Sequence, residues 1–113
     1  DGTCIRDYIH VTDLIAAHAL LLKHLRGGGE STTLNCAYGQ GYSVRQVVET
    51  VRAVSGVDFR ADEGPRRAGD PASITATGEK VRKLLGWVPR HDDLTEIVES
   101  AYWWERHLMT RNR

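Results

Sequence analysis

Residues 14–25 limit what this chain can fold into more than any other stretch, because nine of the twelve are apolar. A helix of that composition carries an apolar surface wider than the stripe one buried face requires, so it wants cover on two sides. The few short helices elsewhere in a 113-residue chain are too little to supply both, and part of the cover is expected to lie outside it. The other reading is that Ala16, Ala17 and Ala19 are simply good helix formers on the surface. The stretch is broken by His18, Lys23 and His24 and is too short to span a bilayer.

Composition narrows the partners. With 41% hydrophobic and 27% charged residues, the chain is too apolar to remain disordered. Fifteen Lys and Arg balance fifteen Asp and Glu, so neither nucleic acid nor an anionic membrane is favoured by bulk charge. Any bound anion must be held by a few placed residues. Cys4 and Cys36 do not form a C-x-x-C pair, which excludes a zinc ribbon or disulfide scaffold; a single bridge stays open, while the apolar neighbours Ile5, Leu34 and Ala37 favour reduced, buried thiols and a cytoplasmic setting. The chain opens on Asp1-Gly2-Thr3, without a Met or a charged-then-apolar leader, and the expectation is a piece of something longer.

Local patterning predicts an alternation of strands and helices. Residues 6–11 carry β-formers in weak alternation and read as a short strand. Thr12 or Asp13 is placed to cap a helix that runs to about residue 26 and stops at Gly27-Gly28-Gly29. Residues 32–37 read as a second strand. Ser43 with Gln46 forms a capping box, and Val44, Val47, Val48, Val51 and Val54 fall on one helical face before Gly56. A strand near residues 57–61 leads into a loop at 62–71, and an extended piece at 73–76 precedes a short helix near 78–85 with Thr77 as its cap. Gly86 is a left-handed stop with Trp87 as its apolar contact. Asp93 with Glu96 opens a last helix whose inner side is Leu94, Ile97, Val98, Ala101, Trp104 and Leu108. The succession predicts an α/β fold.

The sharpest chemical signal is Pro65-Arg66-Arg67-Ala68-Gly69-Asp70. Two adjacent guanidinium groups in a stiff loop suit bidentate capture of phosphate oxygens, and Asp70 is able to accept from a ribose hydroxyl pair. Equally open is a solvated loop in which Asp62, Glu63 and Asp70 neutralise the arginines. Arg6 is likewise a phosphate contact or half of an internal ion pair. Residues 35–43 run strand, Gly turn, helix, but match a dinucleotide cradle poorly: no acidic residue ends a second strand at the required distance. The five histidines lack metal-ligand spacing, and no Ser, Tyr and Lys set or activated cysteine occurs. No catalytic, cofactor-binding or metal-binding residue is assigned.

Four blocks taken in order resemble a known family: Gly2 through Leu14 with its Arg6-Asp7-Tyr8-Ile9-His10-Val11 core; Asn35-x-x-x-Gly39-x-Gly41-Tyr42-Ser43-Val44; Pro65-Arg66-Arg67-x-Gly69-Asp70-Pro71; and Leu84-Leu85-Gly86-Trp87. Together they resemble the C-terminal third of the UDP-glucose 4-epimerases, within the extended short-chain dehydrogenase/reductase superfamily. The resemblance covers nearly the whole chain. It implies an α/β fragment: the last Rossmann-side helix and strand plus the small α/β substrate-binding domain. Residues 1–113 would be the UDP-sugar-binding part, with 7–37 packed on an N-terminal Rossmann domain that holds NAD and the catalytic Tyr, Lys and Ser/Thr.

The resemblance further implies that Arg6 and Arg67 ligate the UDP pyrophosphate and Asp70 the uridine ribose. It gives Arg66 a bracing role and makes Ile74 a shaper of the sugar pocket. The implied reaction abstracts hydride from sugar C4, turns the 4-keto sugar and returns hydride to its other face. Ala37 stands where the family often has Gly, and Thr77 where it often has Asp. The expected partner is a UDP-hexose, with self-association through residues 14–25 in isolation. Two alternatives stand beside this: a related nucleotide-sugar dehydratase or reductase, and a stand-alone, non-catalytic nucleotide-binding or interaction module.

Overall fold

The computed structural model describes residues 2–111. Among them the order is β1 (Ile5–Asp7), α1 (Val11–Arg26), β2 (Gly41–Ser43), α2 (Val44–Ser55), β3 (Ser73–Ile74), α3 (Glu79–Leu85) and α4 (Leu94–Arg111). The sheet order is β2-β1-β3. β1 pairs antiparallel with β2, Arg6 opposite Tyr42, and parallel with β3, Arg6 opposite Ile74. The architecture is α/β, as the patterning predicts.

Helix ends set by local chemistry follow the sequence. Ser43 caps α2, its Oγ accepting from Gln46 N–H while Gln46 Oε1 accepts from Ser43 N–H. Gly56 and Gly86 close α2 and α3 in the left-handed region. Trp87 then inserts at 1% exposure into a cluster with Ala17, Tyr38 and Val81. α4 packs on α2 and buries Leu94 and Val98.

Several expectations are corrected. The first strand is only Ile5–Asp7, and α1 begins early because His10, not Thr12 or Asp13, is its N-cap: His10 Nδ1 accepts from Thr12 N–H. Residues 32–37 have strand-like alternating burial, with Leu34 and Cys36 turned toward the core, yet form no ladder. A strand needs a neighbour to bond, and the described residues offer none there. Residues 57–61 form no strand either; the Phe59 carbonyl is taken by the Arg52 guanidinium instead. Gly78 rather than Thr77 caps α3, without a side-chain bond. Trp104 lies 54% exposed rather than inward, and both cysteines are half-buried free thiols.

The core is thin. The Cα radius of gyration is 17.0 Å, against about 13 Å for a compact domain of this length. α1 buries only Asp13 and Ala17, leaving Val11, Ile15, Leu22 and Leu25 exposed. The wide apolar stretch is covered on one side only.

Candidate nucleotide-binding site

The sheet and the arginine loop meet at Asp70. Residues Arg67 to Asp70 form a tight turn closed by Asp70 N–H donating to the Arg67 carbonyl (3.2 Å), with Gly69 at φ 79°. That φ is the type II turn value at its third position, open to glycine and costly for a residue with a Cβ. The chain then enters β3, where Ile5 N–H donates to the Ala72 carbonyl. The turn thus delivers the Asp70 carboxylate onto the face of β1 that carries Arg6.

There Arg6 Nη2 donates to Asp70 Oδ1 at 2.6 Å, and Arg67 Nη2 lies 3.7 Å from Asp70 Oδ2. Residues 64 apart and three apart converge on one carboxylate. The Arg6 and Asp70 side chains are about a quarter exposed, whereas Arg67 is 87% exposed and keeps its guanidinium largely in water. Arg66 reaches back to Thr3 Oγ1 (3.0 Å), tying the loop to the segment before β1. Cys4 Sγ is 3.8 Å from Asp70 Oδ2. Ile74, directly across from Arg6 in the register, is 49% exposed beside it.

Of the acids in that loop, Asp62 pairs with Arg60 and Glu63 with Arg45; Asp70 alone joins Arg6 and Arg67. The internal partner of Arg6 is therefore Asp70 and not its neighbour Asp7. Successive residues of a strand face opposite ways. Asp7 accordingly turns to the turn before β2, accepting from Tyr38 N–H (3.3 Å) and Gly39 N–H (3.0 Å). The arrangement can present two guanidinium groups to a polyanion, with a carboxylate between them able to accept from hydroxyls.

Residues 35–43 do not fit NAD. Gly39 turns the chain into β2, and the side chains of Ile5 and Thr75 occupy the space over Gly41 that a cradle would leave for phosphate. The structure also gathers His10, His91 and Glu96, one donor atom each within 4.8 Å, a grouping the histidine spacing does not reveal. Because Thr12 N–H donates to His10 Nδ1, Nε2 carries the hydrogen and has no lone pair to give a cation. The His10 and His91 rings stack with centroids 4.6 Å apart, and His91 Nδ1 meets Glu96 Oε1 at 2.5 Å. This is a packed seam, not a metal centre.

Behind that seam lies a buried hub the sequence did not announce. Asp13, 2% exposed, accepts from the Tyr38 hydroxyl and from the amides of Arg90 and His91. Its backbone carbonyl accepts from Trp87 Nε1 at 2.9 Å. Burial pushes the Asp13 carboxyl up, but these bonds and the nearby His91 outweigh it and hold the group below the ordinary carboxylate value. Burial and the bond to Asp13 push the Tyr38 phenol up strongly.

The model of the NAD dependent epimerase/dehydratase family matches residues 1–37. Across nearly its whole length the chain is similar to UDP-glucose 4-epimerases. It is 56% identical over 108 residues to that of Azospirillum brasilense, covering 96% of this chain and 31% of the relative. Among solved structures, the UDP-Glc/GlcNAc 4-epimerase of Campylobacter jejuni is 48% identical with a TM-score of 0.83, over 95% of this chain and 32% of that one. The UDP-glucose 4-epimerase of Stenotrophomonas maltophila, with bound NAD and formylated UDP-arabinopyranose, is 41% identical with a TM-score of 0.87, over 100% of this chain and 33% of that one. The fold thus matches a portion of the epimerase fold, and the chain spans about a third of the length of the relatives it matches. Among the described residues no helix is long and apolar enough to cross a membrane.

Proposed function

We propose that this chain is the UDP-gripping part of an NAD-dependent UDP-glucose/UDP-galactose 4-epimerase, inactive on its own. The observation that carries the reading is the convergence of Arg6 and Arg67 on Asp70. In this reading Arg6 and Arg67 take the pyrophosphate oxygens, Asp70 accepts from the uridine ribose, Arg66 braces the loop and Ile74 borders the sugar. The grip must be firm at UDP while the hexose stays free to turn. NAD supplies hydride acceptance and return at sugar C4 when bound, and its site and the catalytic Tyr, Lys and Ser/Thr lie outside this chain.

Residues 7–37 pack on the NAD-binding domain. Supporting this are the exposed Ile15, Leu22 and Leu25, the unpaired extended run at 32–37 and the large radius of gyration. In isolation the same surface drives self-association. A cytoplasmic setting agrees with the two free thiols.

The test is a chimera in which this chain replaces the matching third of the Azospirillum brasilense relative. Expected is conversion of UDP-galactose to UDP-glucose by the chimera and none by the 113-residue chain alone. A folded, NAD-loaded chimera without turnover overturns the epimerase reading, and turnover by the chain alone overturns the assignment of chemistry elsewhere. UDP binding to the chain alone is expected to be weak or absent, because the uracil and hexose sides of the pocket are contributed from outside.

A further inference from the structure

We infer that His10 is an acid-sensitive latch: it caps α1 only while its ring is neutral, so that uptake of a proton releases the first turn of the helix. Helix N-caps are usually Ser, Thr, Asp or Asn, whose oxygens accept a hydrogen bond throughout the neutral pH range. Here the acceptor is an imidazole nitrogen, His10 Nδ1, which takes the Thr12 N–H at 3.1 Å. Imidazole changes charge between roughly pH 8 and 5, and in the charged ring both nitrogens are donors. A protonated His10 would turn one N–H against another at the positive end of the helix dipole, from a position only 6% exposed. Once the turn opens, the ring is free to charge in water. The opened form therefore binds more protons than the capped one, and the latch weakens as pH falls.

The surroundings of the ring decide how far the opening spreads. His91, from the loop between α3 and α4, stacks on His10 with centroids 4.6 Å apart, and charge on both rings is mutually repulsive. Glu96 of α4 favours a cation in this seam, but its carboxylate meets His91 Nδ1 at 2.5 Å, so its attraction acts first on His91. Tyr38 accepts from the His10 backbone N–H at 3.1 Å and makes no bond to the ring. Asp92, next to His91, acts on the Tyr38 phenol. Asp13, within the first turn, is engaged by the Tyr38 hydroxyl and by the amides of Arg90 and His91. Its carboxyl titrates below the ordinary carboxylate value, so those bonds persist while the cap is lost. Release is thereby confined to the start of α1.

The experiment is NMR of the 113-residue chain from about pH 7.5 to about pH 5.5, reading the ring nitrogens of His10 and the amide-exchange protection of Thr12. Expected is an unprotonated Nδ1 at the upper end. As the ring takes up its proton, protection of the Thr12 amide falls by about tenfold with the same midpoint, and the far-UV circular dichroism changes little. His10→Asn supplies a cap that does not titrate and is expected to hold Thr12 protection within about twofold over the range. His91→Phe keeps a stacked ring without charge and is expected to retain the loss. The proposal is overturned by a His10 ring still neutral at the acid end, or by one that charges while Thr12 protection stays constant. Loss that persists in His10→Asn, or vanishes in His91→Phe, assigns the response to another group and overturns it equally. Should His10→Asn fail to fold, the native chain and His91→Phe decide the matter.

Discussion

The Tyr38 hydroxyl donates to the Asp13 carboxylate at 2.6 Å, joining α1 to the segment before β2 across 25 residues of chain. The same carboxylate takes the Arg90 and His91 amides from the loop between α3 and α4. Tyr38 in turn accepts from His10 N–H at 3.1 Å, at the N-cap of α1. One ionised group therefore joins three chain segments beside Trp87, in a molecule whose apolar core is small.

Asp13→Ala is expected to cost about 3–5 kcal/mol, because it leaves a buried hydroxyl and two amides without an acceptor. Tyr38→Phe removes one donor and keeps the packing against Trp87, and about 1–2 kcal/mol is expected. Urea denaturation followed by far-UV circular dichroism measures both. Equal losses in the two variants would show that the amides of residues 90 and 91 find other acceptors.

The same pair is expected to contribute to the pH dependence of stability. The folded Asp13 carboxyl titrates below its unfolded value, so the stabilisation it provides is present above about pH 4 and is lost as pH falls through the folded value. Tyr38 is shifted the other way. Its contribution is intact below the unfolded phenol value of about 10 and declines as pH rises from there toward the raised folded value. A plateau between roughly pH 4 and 10 with losses on both sides is expected from this pair. Asp13→Asn should flatten the acid limb in thermal melts, and an unchanged acid limb would assign acid unfolding to other carboxylates.

In the chimera, Arg67→Ala is expected to raise KM for UDP-galactose about tenfold with kcat little changed, as loss of uniform binding does. The lower end of the range for a charged hydrogen bond applies because the side chain is 87% exposed. Arg6→Ala should cost more, since its guanidinium is half-buried and holds Asp70 at 2.6 Å. A KM unmoved by Arg67→Ala removes that residue from the substrate grip.

What could be read from the sequence was local. The Ser43–Gln46 box and the Gly56 and Gly86 stops each depend on residues within one helical turn, so their pattern survives without tertiary information. The arginine loop was visible by composition and family resemblance, but the bond from Arg6 to Asp70 joins positions 64 apart and has no local signature. Asp13 looked like a helix cap, and only the fold turns it into an acceptor for the loop at 90–91. The run at 32–37 shows the opposite failure: its pleat is local and visible, whereas a ladder needs a neighbour that the pattern cannot supply.

The outer side of α1 carries the last prediction. Ile15 is 60% exposed, Leu22 51% and Leu25 43%; positions 15, 22 and 25 recur at i, i+7 and i+10 and so lie along one helical face. Ala17 and Asp13 occupy the covered side against Trp87 and Val81. An apolar stripe of this kind in water favours association, and sedimentation velocity of the chain at rising concentration is expected to show species larger than the monomer. Ile15→Lys with Leu22→Lys places charge in the stripe without touching the core, and is expected to return the chain to a monomer with its melting temperature within a few degrees of the native value. Association that persists in the double variant would move the contact to another surface, with Trp103 and Met109 of α4, 74% and 68% exposed, as the next to test.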